Sequence, residues 1–112
     1  MLQGNTGNDR IYRMDQFAVP ARARDEFLQR VRQTHELLRT QPGFLQDFML
    51  ERSSGEGEYN LVTLIEWENE AAIESAKKAV GDMHRQIGFN PPEFMARLGV
   101  KAAIATYGHL RQ

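Results

Sequence analysis

The chain has 112 residues, of which 41% are apolar and 26% are charged, and its formal net charge at pH 7 is -1. Such a composition is typical of one globular domain, and the length is too small for two separate cores. Acidic and basic residues are interspersed, which gives no indication of a surface for nucleic acid or for a membrane, and no apolar run is long enough to span a bilayer. The absence of cysteine excludes disulfides and thiolate ligands for metals. We therefore expect one cytoplasmic domain without nucleic-acid or membrane partners.

The first part of the chain predicts a leader, a strand and a helix. Residues 1–9 are rich in Gly and Asn and show no periodicity, which predicts a disordered leader before a single domain over residues 10–112. Arg10–Val19 predicts a strand, and Pro20 stands where a helix would begin. Over Ala21–Thr40 the spacing predicts that helix, because its inward residues recur every three or four positions: Phe27, Val31, His35 and Leu38.

A hairpin forms the centre of the sequence. Phe44–Arg52 and Tyr59–Trp67 are rich in aromatic and β-branched residues, and residues 53–58 between them are typical of a turn. Both faces of the second strand carry apolar residues, whereas a sheet with one wet face alternates between apolar and polar. The hairpin therefore needs cover on both faces.

The pattern after the hairpin changes from strand to helix. Asn69–Val80 predicts a second helix that stops at Gly81. Asp82–Phe89 predicts an irregular segment that could form a lid, with one loose turn of helix as the alternative. Asn90–Leu98 predicts a short helix, because an Asn cap, two prolines and a Glu form a strong start signal. Val100–Tyr107 predicts the last strand.

The order strand, helix, strand, strand, helix, strand is that of the ferredoxin-like βαββαβ arrangement, an α+β fold. It predicts a four-stranded antiparallel sheet with both main helices on one face, because the crossover connections are right-handed. The other face is then bare although it is apolar. We expect a homodimer that forms through this sheet face.

Four segments lie at the junctions between the predicted elements: Phe17-Ala18-Val19-Pro20, His35-Glu36-Leu37-Leu38, Gln41-Pro42-Gly43-Phe44 and Ile65-Glu66-Trp67-Glu68-Asn69-Glu70-Ala71. With them the sequence resembles the antibiotic biosynthesis monooxygenase (ABM) domain over roughly Ile11–Tyr107. The resemblance implies a dimeric α+β barrel whose two sheets close against each other. Members of the family include cofactor-independent oxygenases of polyketide anthrones, quinol oxidases, heme-degrading enzymes and aldehyde isomerases, so the fold does not by itself give the function.

The heme-degrading members resemble one another in an Asn on the first strand, a Trp within the second helix and a His further along. Here the first strand offers Met14, Asp15 and Gln16 but no Asn, and the second helix contains no aromatic residue. His84 lies near the right region, but the pattern as a whole argues against heme cleavage.

Oxygenation of an anthrone requires fewer catalytic groups from the protein, because a phenolic substrate that has lost a proton reacts with dioxygen directly. The site must bind a flat aromatic ligand, take one proton and stabilise an oxyanion. The expected function is a cofactor-independent monooxygenase of a small aromatic polyketide, anthrone or quinol, with no cofactor and no metal. A ligand-binding or structural dimer without catalysis, and an isomerase or decarboxylase acting on a related substrate, remain open alternatives.

In this fold we expect the ligand pocket between the helices and the sheet, and we choose the candidate residues on that basis. His35 is the first candidate for the base, and the alternative is a core histidine bonded to a backbone carbonyl. His84 is the second candidate. Substrate contacts are expected from a Trp that can stack or donate, two strand tyrosines, one residue of the lid and one of the short helix after it: Trp67, Tyr12, Tyr107, Met83 and Phe94.

Overall fold

The computed structural model describes residues 9–111, so the expected leader lies outside the described residues apart from Asp9. The described chain forms four strands and three helices, which are β1 (Ile11–Ala18), α1 (Arg24–Leu38), β2 (Phe44–Glu51), β3 (Leu61–Trp67), α2 (Glu70–Ile87), α3 (Pro91–Leu98) and β4 (Lys101–Gly108). Within this range no helix has both the length and the apolar character that crossing a membrane requires.

The four strands form one antiparallel sheet in the order β2-β3-β1-β4. With α1 and α2 packed on the same face, this is the ferredoxin-like α+β fold that the sequence predicted, and that prediction is confirmed. Strands β1 and β3 are central. Their helix-facing side chains form the floor on which the helices pack.

Two apolar clusters hold the helices against this floor. The first joins α1, the sheet and α3, and in it the rings of Phe17 and Phe27 meet edge to face with centroids 4.9 Å apart. The second joins α2 to the other end of β3, where Trp67 is 1% exposed and contacts Phe44 edge to face at 5.7 Å. Because each helix is anchored at a different end of the sheet, the space between the clusters is not filled by packing.

Helix α2 is longer than the sequence predicted. The expected stop at Gly81 and the irregular segment after it are wrong, because the helix continues to Ile87. A glycine within a helix costs about 1 kcal/mol relative to alanine, which neighbouring contacts can offset. Here Asp82 pairs with Lys78 at 3.2 Å and also with Arg85. The stop occurs instead at Gly88, whose φ of 66° provides the left-handed conformation that ends many helices.

The other boundaries shift by a few residues. Helix α1 begins at Arg24, because a short 3-10 turn precedes it in which the N–H of Ala23 donates to the carbonyl of Pro20 at 2.9 Å. Helix α3 begins where the sequence predicted, and the Oδ1 atom of Asn90 accepts from the N–H of Glu93 at 3.1 Å.

The face of the sheet opposite the helices is uncovered in the described chain. Strand pairing places Phe48 beside Leu64, Leu50 beside Val62 and Tyr107 beside Tyr12, all on this face. Phe48, Leu50 and Tyr107 are 46%, 52% and 48% exposed, respectively. We call this surface the bare sheet face.

A close contact at the start of the hairpin generates a prediction. Gly43 has φ 86°, and a Cβ atom there would overlap the Cβ of Ala72 on α2, whereas Gly55 has φ 90° with nothing within 4 Å. Both Gly43→Ala and Gly55→Ala should therefore lose about 1–2 kcal/mol through backbone strain. Gly43→Ala should lose about 1–3 kcal/mol more through overpacking. Urea unfolding of both variants checks this, and equal losses would show that the contact with α2 is not tight.

Candidate active site

A cavity of about 380 Å³ lies between the helices and the sheet, where the two apolar clusters leave space. It is lined mostly by apolar side chains of β1, β3 and the three helices, among them Phe17, Phe27, Ile65, Ile73 and Phe94. This volume falls within the range of pockets that bind small organic ligands.

His35 reaches the cavity from α1 and is 4% exposed. Its Nδ1–H donates to the Oδ2 atom of Asp47 on β2 at 2.7 Å, so the partner is a carboxylate and not the backbone carbonyl of the alternative interpretation. This hydrogen bond selects the tautomer in which Nε2 carries the lone pair. No hydrogen bond among the described residues engages Nε2, which leaves that atom free to accept a proton from a ligand.

Asp47 binds a second cation. Arg39, one turn after His35 on α1, donates to Asp47 Oδ2 at 2.9 Å. Partial burial raises the pKa of the carboxyl group, but the hydrogen bonds and charges of Arg39 and His35 outweigh burial and bring the pKa below its ordinary value. Asp47 is therefore ionised at neutral pH and holds the imidazole ring in one orientation.

His84 also lines the cavity, because α2 extends beyond Gly81. Its Nε2 atom is buried and has no hydrogen-bond partner among the described residues, and its ring lies 5.0 Å from that of Phe89. Burial, and to a lesser degree the positive charge of Arg30, lowers its pKa. The ring is therefore neutral at pH 7.

Of the residues predicted for substrate contact, Trp67 and Phe94 line the cavity. The Nε1–H of Trp67 is a buried donor that has no acceptor within the described part of the chain. A buried donor without a partner is unfavourable, so an acceptor on a ligand would stabilise it.

The other three predicted contacts lie elsewhere. Tyr12 and Tyr107 are paired across β1 and β4 on the bare sheet face, because the alternation along β1 directs Tyr12 away from the helices. Met83 is half-buried on α2 but does not line the cavity, since it precedes His84 by one position and points to a different side of the helix. Within one chain these three residues do not join the site.

Several polar residues of the site were not selected from the sequence. Asp47 is one, and others are Arg13 and Asp15 on the cavity floor, where Arg13 Nε donates to Asp15 Oδ1 at 2.7 Å. A signal for this pair was present, because both residues share the alternate positions of β1 with the core residue Phe17. Charged residues in the core-facing register of a strand indicate a site. No comparable local signal marked Asp47.

The fold and the cavity together define a small α+β protein with an apolar cavity under its helices. The chain belongs to the antibiotic biosynthesis monooxygenase family, whose model matches residues 10–86. A search of curated proteins found no match.

Solved structures with this fold include proteins of several kinds. SnoaB from Streptomyces nogalater, a cofactor-independent oxygenase, has a TM-score of 0.66 at 20% identity, with 93% of this chain and 96% of that chain covered. A conserved protein from Methanosarcina mazei has a TM-score of 0.71 at 17% identity, with 92% and 95% covered. A variant of MhuD with two manganese protoporphyrin IX molecules per active site has a TM-score of 0.67 at 19% identity, with 91% and 96% covered. At these identities the likeness shows the fold.

The Asp47 contact predicts how stability depends on pH. Because the folded-state pKa is lowered, the carboxylate stabilises the fold above its ordinary pKa of about 4, and this contribution disappears as pH falls through the folded-state value. Asp47→Asn should therefore cost about 1–3 kcal/mol at neutral pH and progressively less in acid. Urea unfolding from neutral pH down through the folded-state pKa of Asp47 measures the difference in the free energy of unfolding between wild type and variant.

Asp25→Asn is the matched control, because the side chain of Asp25 is 98% exposed. Its ion pair with Arg24 is exposed, so we expect it to change the free energy of unfolding by less than about 1 kcal/mol across the same range. A loss for Asp47→Asn that stays constant with pH would contradict the assignment, since it would come from packing and not from the charge.

Proposed function

We propose that this protein is a cofactor-independent monooxygenase that oxygenates a small aromatic polyketide, an anthrone or a quinol, in the cavity beneath its helices. The observation that carries the proposal is His35, a buried imidazole that a carboxylate orients and that lines an apolar cavity. Membership of the family supports the reaction class. So does the likeness to SnoaB, which is itself a cofactor-independent oxygenase.

In the proposed reaction His35 Nε2 takes a proton from the substrate's activated carbon or phenol, and the aromatic system delocalises the remaining electron pair. The anion transfers electrons to dioxygen, and a carbon–oxygen bond forms to give a peroxide. The imidazolium returns its proton to the peroxide. Loss of the second hydrogen from the same carbon breaks the oxygen–oxygen bond, so one oxygen atom stays on the product and the other leaves as water.

The surrounding residues favour this sequence. The carboxylate of Asp47 stabilises the imidazolium, as the Asp does in hydrolase triads. The buried N–H of Trp67 is a donor for the oxygen on which negative charge develops. The apolar walls exclude water, which strengthens both interactions.

The structure of the MhuD variant, which holds manganese protoporphyrin IX, raises a metalloporphyrin as a competing ligand. His84 occupies the region that sequence comparison associates with the heme-degrading members, but its Nε2 atom is buried and the ring lies against Phe89. The rest of that pattern is absent, since β1 has no Asn and α2 has no Trp. These residues do not fit the group, and the proposed reaction contains no step through a metalloporphyrin.

Oxygen uptake with a panel of anthrones and quinols, with anaerobic samples for comparison, tests the proposal. His35→Ala should lower turnover by roughly 10²-fold or more, the usual scale for loss of a general base. Its effect on stability should be about 1–3 kcal/mol, because Asp47 loses a buried partner. Circular dichroism therefore has to show that the variant is folded at the assay temperature.

His109→Ala is the matched control, because His109 is exposed and bonds Tyr12 at 2.9 Å, away from the cavity. It should keep wild-type turnover. Loss of turnover in His84→Ala but not in His35→Ala would move the base to His84. Full turnover in all three variants would refute a histidine-assisted oxygenase.

We further propose that two copies of the chain associate through the bare sheet face. The exposed apolar side chains of Phe48, Leu50 and Tyr107 support this, because monomers seldom expose a contiguous apolar surface of this kind. Obligate interfaces of such a type commonly bury on the order of 2,000 Å² or more.

Analytical ultracentrifugation at micromolar concentration tests the dimer. Leu50→Glu should shift the protein to monomers, because it places a charge in the interface. Ile87→Glu is the control, since Ile87 is 53% exposed at the end of α2 and lies on no strand. A wild-type monomer, or an equal effect of both substitutions, would contradict the proposed interface.

A further inference from the structure

The cavity carries more positive than negative charge. Among the described residues that line it, three are cations, Arg13, Arg30 and Lys77, and one is a carboxylate, Asp15. Lys77 is matched at the surface by Glu74, 3.1 Å away. The excess charge therefore comes from the two arginines, because the lining contains one carboxylate and that carboxylate pairs with Arg13 only.

Arg13 presents a free edge of its guanidinium group. Its Nε atom is bonded to Asp15 at 2.7 Å, and the two side chains are 24% and 22% exposed. Within residues 9–111 no other hydrogen bond involves this guanidinium group, so the edge formed by Nη1 and Nη2 is open. That edge has the geometry that binds a carboxylate through two parallel hydrogen bonds. Asp15 thus orients the group and leaves its outer edge for a ligand.

Arg30 supplies the charge that is not matched. Its guanidinium carbon lies 4.2 Å from the centroid of the Phe89 ring, and none of the ion pairs found within the described chain includes it. The positive charge of Arg30 acts within the cavity, because it contributes to lowering the pKa of His84. A cation held beside apolar walls is stabilised when an anion binds near it.

We infer that the aromatic ligand of this cavity carries an ionised acid group, such as a carboxylate, which binds the free edge of Arg13 while Arg30 supplies the balancing charge. The inference rests on the proposed function in that it places the aromatic ligand in the same cavity. It narrows the substrate class from anthrones and quinols in general to those that carry an ionised acid group. The acid group also sets the orientation of the flat ring system relative to His35, because a bidentate contact fixes direction as well as position.

The chain contains its own reporter of binding. Trp67 is the single tryptophan of the sequence and lines the cavity, so its fluorescence responds to a ligand there. We would titrate the protein with an anthraquinone carboxylate and with the matching carboxamide. Both are already oxidised, so the measurement separates binding from turnover. The carboxylate should bind roughly tenfold or more tightly, the scale of a hydrogen bond to a charged group.

Variants at the two arginines test which residues cause the preference for the carboxylate ligand. Arg13→Gln together with Asp15→Asn removes both charges of the pair, keeps the net charge and leaves no carboxylate without a partner, and it should remove most of the preference for the carboxylate ligand. Arg30→Gln should reduce the preference in part. Arg32→Gln should leave the preference intact, because Arg32 is exposed on the same helix and does not line the cavity.

Equal binding of the two ligands by the wild type, or an undiminished preference in the double variant, would overturn the inference. Failure of both ligands to change the fluorescence of Trp67 would also overturn it. The proposed oxygenation is judged separately by oxygen uptake. Turnover of a neutral anthrone by a protein that shows no preference for the carboxylate would leave that proposal standing.

Discussion

The carboxylate of Asp47 is the contact on which the candidate site depends. It joins β2 to α1 by accepting hydrogen bonds from His35 at 2.7 Å and Arg39 at 2.9 Å. The two donors lie four residues apart and therefore on one face of the helix. One acceptor thereby fixes the position of α1 over the sheet and the tautomer of the imidazole. Because Arg39 helps to keep the carboxyl group ionised, orientation of the ring persists over the neutral pH range.

The cavity exists because the helices are anchored separately. Helix α1 packs with α3 at one end of the sheet and α2 packs around Trp67 at the other. Polar residues occupy the core-facing positions of the strands between these clusters, where Thr63 is buried and Arg13 pairs with Asp15. None of these three residues belongs to either apolar cluster. The fold thus leaves space where its polar groups face inward, which is the usual arrangement in ligand pockets.

The continuation of α2 past Gly81 has a consequence for the same cavity. It carries His84 to the cavity wall, and Gly81 itself lines the cavity without contributing a side chain. Gly81 therefore lowers the stability of the helix locally, but it leaves space in the cavity that a side chain would occupy. The two faces of the sheet differ. The helix-covered face carries the candidate site, and the bare sheet face carries exposed apolar residues.

The sequence alone determined the order of the elements, the ferredoxin-like fold and the inward direction of His35, because hydrophobic periodicity and turn residues act locally along the chain. It also indicated Trp67, His84 and Phe94 as residues near a pocket. The end of α2 was predicted wrongly, because a glycine signals a stop only when it adopts a left-handed conformation, and local sequence does not determine that choice between Gly81 and Gly88.

Only the tertiary structure decided which polar groups meet. Asp47 and His35 are twelve residues apart on different elements, and no spacing rule relates a helix to the strand that packs beneath it. The same limit applied to Tyr12, whose chemistry suggested a site residue while its register placed it on the bare sheet face. Residue type and periodicity are properties of short segments, whereas a site is formed by long-range packing that brings distant segments to one place.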